Sequence, residues 1–292
     1  MGHASSILRK VQHSILCRVV NVRNSLRIIF FRVISSAKTV VETRVNKIAL
    51  LVFARDSIGE QLAALKQFER VDSSYMKKRI PKNGVMLDVG ANIGYWTTLF
   101  AASATEGRVY AFEPSPKTAI LCEANSILNG FGTRVQLERY ALAAQTGQQS
   151  FSIADDSGFS SFTATGRSTE QQTITVPTTT LDAYVKDHNI SRIDFIKIDV
   201  EGGEYGVLQG GENIFARQLP RLILMELVDK NLQVYGASIE KILTWMHDHS
   251  YRPFVIDHVT GLERPYNSVD QNMIQNVYFA PYDDTKESIH TE

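Results

Sequence analysis

The chain is poor in several things at once. It has only two cysteines, Cys17 and Cys122, in unrelated settings and without metal-ligand spacing. That gives no basis for a disulfide framework or a zinc site, and it points to a reducing, cytoplasmic setting. Acid is nearly missing from the first fifty residues, where nine Lys or Arg stand against Glu42 alone. The resulting +8 leaves −8 for the remainder of a chain whose formal charge is zero, so the two parts do different work. Glycine and proline are absent from residues 3–58, and nothing there punctuates the chain. Long apolar runs are missing too. The longest uncharged one in the first fifty residues is 28–31, far short of the roughly 20 residues of a membrane-spanning helix, and no signal-peptide pattern is present. The rest is ordinary for a soluble globular protein: 292 residues, 43% hydrophobic and 21% charged, enough for one large α/β domain with an appendage or two small domains.

Over residues 7–48 apolar residues recur at three- and four-residue steps, from Leu8, Val11 and Ile15 to Val45 and Ile48. This predicts one long amphipathic helix or two consecutive ones. Interspersed basic residues leave two partners open to the apolar stripe. The arm either packs on its own domain or a second subunit, giving oligomerisation, or makes peripheral contact with an anionic membrane surface. An Arg-rich, acid-poor start also suits an organelle transit peptide, and Met1-Gly2 with Ser6 fits a short myristoylation pattern. The expected organisation is a basic amphipathic helical arm over 1–50, a helical lead-in over 51–83, a catalytic α/β domain over 84–282 and a polar tail over 283–292.

The α/β part is organised around residues 85–97, Val-Met-Leu-Asp-Val-Gly-Ala-Asn-Ile-Gly-Tyr-Trp-Thr. It reads as a strand, a tight loop and a helix start. Gly90 would let the backbone approach a ligand, and Gly94 would let the helix start against the strand without a side chain in the way. A dinucleotide fingerprint wants Gly-x-Gly-x-x-Gly, and Gly90-Ala91-Asn92-Ile93-Gly94 lacks the middle glycine. Asp88, at the strand's end, would repel a phosphate and attract an ammonium, which favours S-adenosylmethionine. The next strand, 108–112, leads into Glu113, about twenty residues on, where an acid accepts both ribose hydroxyls of either cofactor. A nicotinamide oxidoreductase is therefore the weaker rival.

Strand and helix keep alternating beyond that point. Residues 148–153 and 173–176 predict a hairpin around a polar loop, 154–172, read as a lid or a solvated connection. A buried strand then ends Ile198-Asp199-Val200-Glu201-Gly202-Gly203-Glu204, placing acids and glycines at a carboxyl edge, where open α/β sheets bind ligands. In a regular strand Asp199 and Glu201 would share one face. They are the candidates for general base and substrate orienter; no histidine is comparably placed. Glu226, inside Leu-Ile-Leu-Met-Glu-Leu, needs a partner or must be neutral. With Asp199 it could hold Mg²⁺, since oxygen ligands suit that ion. Met225 and Leu227 supply no second acid beside it, so no metal site is assigned and a divalent metal is not favoured.

Three motifs, Leu-Asp-Val-Gly-Ala-Asn-Ile-Gly-Tyr, Ala-Phe-Glu-Pro and Ile-Asp-Phe-Ile-Lys-Ile-Asp-Val-Glu-Gly-Gly-Glu, together resemble the FkbM family of S-adenosylmethionine-dependent methyltransferases, from about residue 84 to 281. The resemblance implies a Rossmann-like class I methyltransferase: a seven-stranded, mostly parallel sheet with helices on both faces and the last strand antiparallel. It implies O-methylation of a hydroxyl on a sugar, glycan or secondary-metabolite acceptor. By the same resemblance Asp88, Gly90, Ala91, Asn92 and Gly94 surround the methionine part, Glu113 the ribose, and Ala141 lies near adenine. A small-molecule or glycan acceptor and no nucleic acid is the expected partner. The alternative is a non-catalytic S-adenosylmethionine-binding module tethered to a membrane or partner through the arm.

Overall fold

The computed structural model describes residues 39–154, 171–266 and 275–282, and the chain separates into two compact units, Met1–Phe68 and Glu69–Glu292. In the first, β1 (Val40–Val45) and β2 (Ile48–Phe53) form an antiparallel hairpin. Next come α1 (Ser57–Glu60), whose Asp56 cap accepts from the Ile58 and Gly59 N–H groups, and a π-helical turn over Gln61–Leu65. The hairpin corrects the expectation that a helix runs through Ile48. Four of the six β1 residues are β-branched, which favours a strand. Asn46 and Lys47 both take positive φ, 52° and 72°, as a two-residue hairpin turn of the primed type requires. The rest of the arm, the 155–170 loop and the tail beyond residue 282 lie outside the described residues. No helix among the described residues is long and apolar enough to cross a membrane.

The second unit begins with α2 (Arg70–Lys77) and continues through β3 (Val85–Val89), α3 (Tyr95–Ser103), β4 (Arg108–Phe112), α4 (Pro116–Leu128) and β5 (Val135–Glu138). A small sheet follows, made of β6 (Ala141–Leu142), β7 (Gly147–Ala154) and β8 (Gln171–Thr179), with β7 and β8 paired as the expected hairpin. The chain then runs α5 (Leu181–Asp187), β9 (Phe195–Ile198), α6 (Glu204–Gly210), α7 (Glu212–Ala216), β10 (Ile223–Leu227), α8 (Asp229–Val234) and α9 (Ile239–Asp248). It ends with β11 (Tyr251–Ile256), β12 (Glu263–Pro265) and β13 (Gln275–Pro281).

The main sheet has the order β12-β11-β13-β10-β9-β3-β4-β5. From β5 to β10 neighbours are parallel, and β13 runs antiparallel to both β10 and β11. The expected seven-stranded arrangement is present, and β12 adds an eighth strand at the β11 edge. Strand order reverses between β3 and β9, so the crevice for a ligand opens at their carboxyl ends. Both strands are covered on both faces and read as almost continuous apolar runs. The exceptions are Asp88, 0% exposed, and Lys197, 4% exposed, which sit opposite each other in the register.

Helix α3 buries every residue from Tyr95 to Ala101, as a helix apolar nearly all round must. It can do so because Gly94 (φ 83°) brings its start against α4, rather than against the strand as expected: a Cβ there would lie 2.8 Å from the Cys122 sulfur.

Candidate active site

On the β3–β4 side the loop is held from within. The Glu113 carboxylate, 6% exposed, accepts the Asn92 N–H on Oε2 at 2.7 Å and the Ser115 N–H on Oε1 at 2.9 Å. Asn92 takes φ 51°, its side-chain oxygen accepting from the Ile93 N–H at 2.7 Å, and Asn125 donates to the Ile93 carbonyl at 2.8 Å. Burial pushes the Glu113 carboxyl up to about 7, against the pull of these donors. Each carboxylate oxygen has a second lone pair, so the loop and a pair of ligand hydroxyls can be served together.

Asp88 is sealed more completely than the sequence suggests. Its Oδ2 accepts from Thr97 Oγ1 at 2.5 Å, while Oδ1 finds no hydrogen-bond partner among the described residues. Burial raises its pKa, and Lys197 and Thr97 oppose that. Gly90 (φ 84°) is also needed for a reason other than the expected one. A Cβ there would sit 1.8 Å from the Asp199 carbonyl oxygen, so the close neighbour is the end of β9. Ala91 and Gly94 follow in the same loop. Ala141 is buried in the small sheet, paired with Thr178, three residues past the end of the main-sheet strand at Glu138.

On the β9–β10 side the acids meet each other. Strand β9 stops at Ile198, and Glu201 takes φ 55° with Gly202 at 111°. Strand alternation therefore does not place Asp199 beside Glu201, as expected; a left-handed turn does. Carboxylate oxygens of Asp199, Glu201 and Glu226 lie within 4.8 Å of one another. The second acid that the residues flanking Glu226 fail to supply comes from Glu201. The Asp199 charge, then burial, holds Glu226 well above the usual carboxylate range, and a hydrogen bond joins the two. Glu201 Oε2 accepts from Asn231 Nδ2 at 2.7 Å.

Two residues that sequence reasoning left without a role complete this edge. Lys197 donates to Asp199 Oδ2 at 2.6 Å. Burial alone would lower its pKa, yet the carboxylates of Asp199, Glu69 and Asp88 more than offset that and hold the ammonium above its ordinary value. A lysine inside the run Phe-Ile-Lys-Ile was the available signal, since a buried charge needs a partner. Glu69 had no such signal. It precedes α2 in a left-handed conformation (φ 39°), and accepts from Trp96 Nε1 at 2.5 Å and from Asn276 Nδ2 at 3.4 Å. Burial pushes it up to about 7.

An open sheet reversing at β3 and β9, with a glycine loop on one side of the switch and acids on both, is the class I methyltransferase fold. The Methyltransferase FkbM domain family matches residues 88–253, more than half the chain, and the protein belongs to that family. Among curated relatives, the hexuronic acid methyltransferase AglP of Haloferax volcanii is 31% identical over 50% of this chain and 56% of its own length. The 2-O-methyltransferase NoeI of Sinorhizobium fredii is 26% identical over 64% of this chain and 79% of its own. The chain thus spans little more than half of the first of these. A crystal structure of methyltransferase FkbM from Methylobacillus flagellatus is 16% identical, covers 68% of this chain and 44% of that one, and has a TM-score of 0.42, a likeness too loose to build on.

Proposed function

We propose that this protein transfers a methyl group from S-adenosylmethionine to a hydroxyl oxygen of a sugar or glycan. The carrying observation is the contact at Gly90, where the loop of the cofactor side rests on the backbone of Asp199. Cofactor and acceptor sites then meet at the switch point, and the sulfonium methyl lies beside the acid edge. In this reading Asp88, Gly90, Ala91, Asn92 and Gly94 surround the methionine part, Glu113 takes the ribose hydroxyls, and Ala141 flanks adenine. Asp199 and Glu201 orient the acceptor hydroxyl and remove its proton. Lys197 keeps Asp199 in place. The sulfonium is already a good leaving group, so in-line positioning and proton removal supply the rate.

The acceptor class is supported by the relatives, one named for a hexuronic acid and one for a 2-O position. The test is methyl transfer from isotopically labelled S-adenosylmethionine to a panel of neutral, acidic and amino sugars, read by mass spectrometry, with a parallel search for co-purified S-adenosylhomocysteine. Cofactor binding without transfer to any acceptor would leave the non-catalytic module as the better reading.

A further inference from the structure

We infer that the acceptor is longer than one sugar: a groove beside the acid edge, between the start of α6 and the outer face of α9, is a subsite for an uncharged sugar unit next to the one that is methylated. The inference rests on the transferase reading of that edge. The groove has a volume of about 380 Å³, within the roughly 300 to 1,000 Å³ of small-ligand sites. Glu240, Lys241, Thr244, Trp245 and Asp248 line it from α9 and Tyr205 from α6. Steps of three and four residues put the α9 set on one helix face. Four of these side chains are exposed and the two rings are half-buried. Chain neighbours place the groove. Tyr205 comes directly after Glu204, which lines the acid cleft with Asp199 and Glu201. On the other side, a Cβ on Gly202 would meet the Tyr235 ring at 2.7 Å, and Asn231 of α8 donates to Glu201. Ser238, three residues past Tyr235, caps α9 and also lines the groove. A glycan whose hydroxyl reaches Asp199 and Glu201 would therefore carry its next unit over Tyr205.

The walls have the chemistry of a sugar site. Both rings are held in place. The Lys241 ammonium sits 4.3 Å over the centre of the Tyr205 ring, and Trp245 stacks on His249 at 3.6 Å with Phe215 edge-on at 5.3 Å. His249 is itself tied to the Trp245 carbonyl at 2.7 Å and to Glu212 at 3.0 Å. Rigid aromatic rings offer apolar contact area at little entropic cost, which suits the C–H face of a sugar ring. Around them the Glu240 and Asp248 carboxylates accept hydrogen bonds, Lys241 donates and Thr244 does both, which suits its hydroxyls. Both signs of charge are present, so a unit carrying either charge meets a like one, while an uncharged unit meets none.

The test titrates full-length protein with neutral gluco-, galacto- and manno-configured disaccharides and with their parent monosaccharides. Binding is followed by saturation-transfer NMR and by tryptophan fluorescence, with S-adenosylhomocysteine binding measured calorimetrically on the same samples. The chain has two tryptophans, and Trp96 is only 3% exposed, so a change on adding sugar reports on Trp245. At least one disaccharide is expected to bind about tenfold or more tightly than its monosaccharide, as a second linked contact allows. Trp245→Ala should abolish that margin and leave S-adenosylhomocysteine affinity unchanged. Thr244→Arg, which fills the groove from an exposed helix position, should do the same and serves where Trp245→Ala does not fold. Disaccharides that bind no better than monosaccharides overturn the subsite, as does a margin that survives both variants. A margin confined to uronic-acid or amino-sugar disaccharides, run in parallel, overturns the uncharged assignment. Protein that binds S-adenosylhomocysteine but shows no disaccharide margin loses the subsite and keeps the transferase reading. Variant-sensitive disaccharide binding without S-adenosylhomocysteine binding upholds the groove and removes the transferase reading.

Discussion

Both ends of the ligand crevice are lined with acids, yet the two ends are made differently. On the β3–β4 side the carboxylates are met by donors: Glu113 by two backbone N–H groups, Asp88 by the Thr97 hydroxyl. On the β9–β10 side Asp199, Glu201 and Glu226 crowd one another and are answered by the Lys197 ammonium and the Asn231 amide. At the first end the chain's own donors already hold Glu113 and one oxygen of Asp88. At the second, like charges meet: the Asp199 charge holds the Glu226 carboxyl well above the usual carboxylate range, and the two share a hydrogen bond. In the proposed reading, preorganisation lies mainly on the cofactor side, and the chemistry on the side where the carboxylates crowd one another.

The sharpest way to break this contrast is Lys197→Met. Removing the ammonium from a 96%-buried position leaves Asp199 and its neighbours uncompensated, and loss of one partner of a buried pair costs about 3 to 5 kcal/mol. Urea unfolding at neutral pH should show that loss; wild-type stability would mean the acids do not depend on Lys197. Glu201→Gln comes next. It should lower turnover on the order of 10²-fold or more, roughly 3 kcal/mol, while cofactor affinity stays near wild type, and unchanged turnover at saturating acceptor would remove Glu201 from the mechanism. Glu113→Ala should do the reverse, weakening S-adenosylmethionine binding by about 1.5 to 3 kcal/mol in calorimetry. Asp88→Ala, sealed as that residue is, should show its cost in unfolding as well as in affinity.

The same contrast explains what could be read from the chain beforehand. The cofactor side is local in sequence: strand, glycine loop and a second acid about twenty residues on, with spacing fixed by one βαβ unit. The acid edge is assembled from β9, β10 and the start of α2, with Lys197, Glu226 and Glu69 far apart in the chain. Asp199 and Glu201 were legible as a pair, but the reason for their meeting was not, because a non-glycine residue in the left-handed region leaves no mark in the hydrophobic pattern. Gly90 was legible as a tight spot, although what crowds it, the end of β9, belongs to a strand more than a hundred residues away. The hairpin at residues 40–53 was missed because Val40, Val41, Val45 and Ile48 satisfy helical steps as well as a strand, and only the turn at Asn46 and Lys47 separates the two.

The smallest expected effect is a pH dependence confined to the cofactor side. Burial holds the Glu113 carboxyl at about 7, above its usual range, so the apo protein binds a proton there that the unfolded chain releases at lower pH. This group's contribution to stability is full below the ordinary carboxylate pKa and is lost as pH rises through about 7. Cofactor affinity should run the opposite way. Ribose hydroxyls donate to the ionised carboxylate, so affinity should rise with pH, flatten above about 8, and fall roughly tenfold between pH 8 and pH 6. Calorimetric titration with S-adenosylhomocysteine across that window measures one slope, and unfolding of the apo protein the other. Glu69 and Glu204, also raised to about 7 by burial, contribute to the stability curve, so the difference between wild type and Glu113→Gln isolates the share of Glu113. That variant keeps an acceptor oxygen and cannot ionise. Its affinity profile should be flat, and a slope that survives in it would assign the titration to the acid edge rather than to the ribose site.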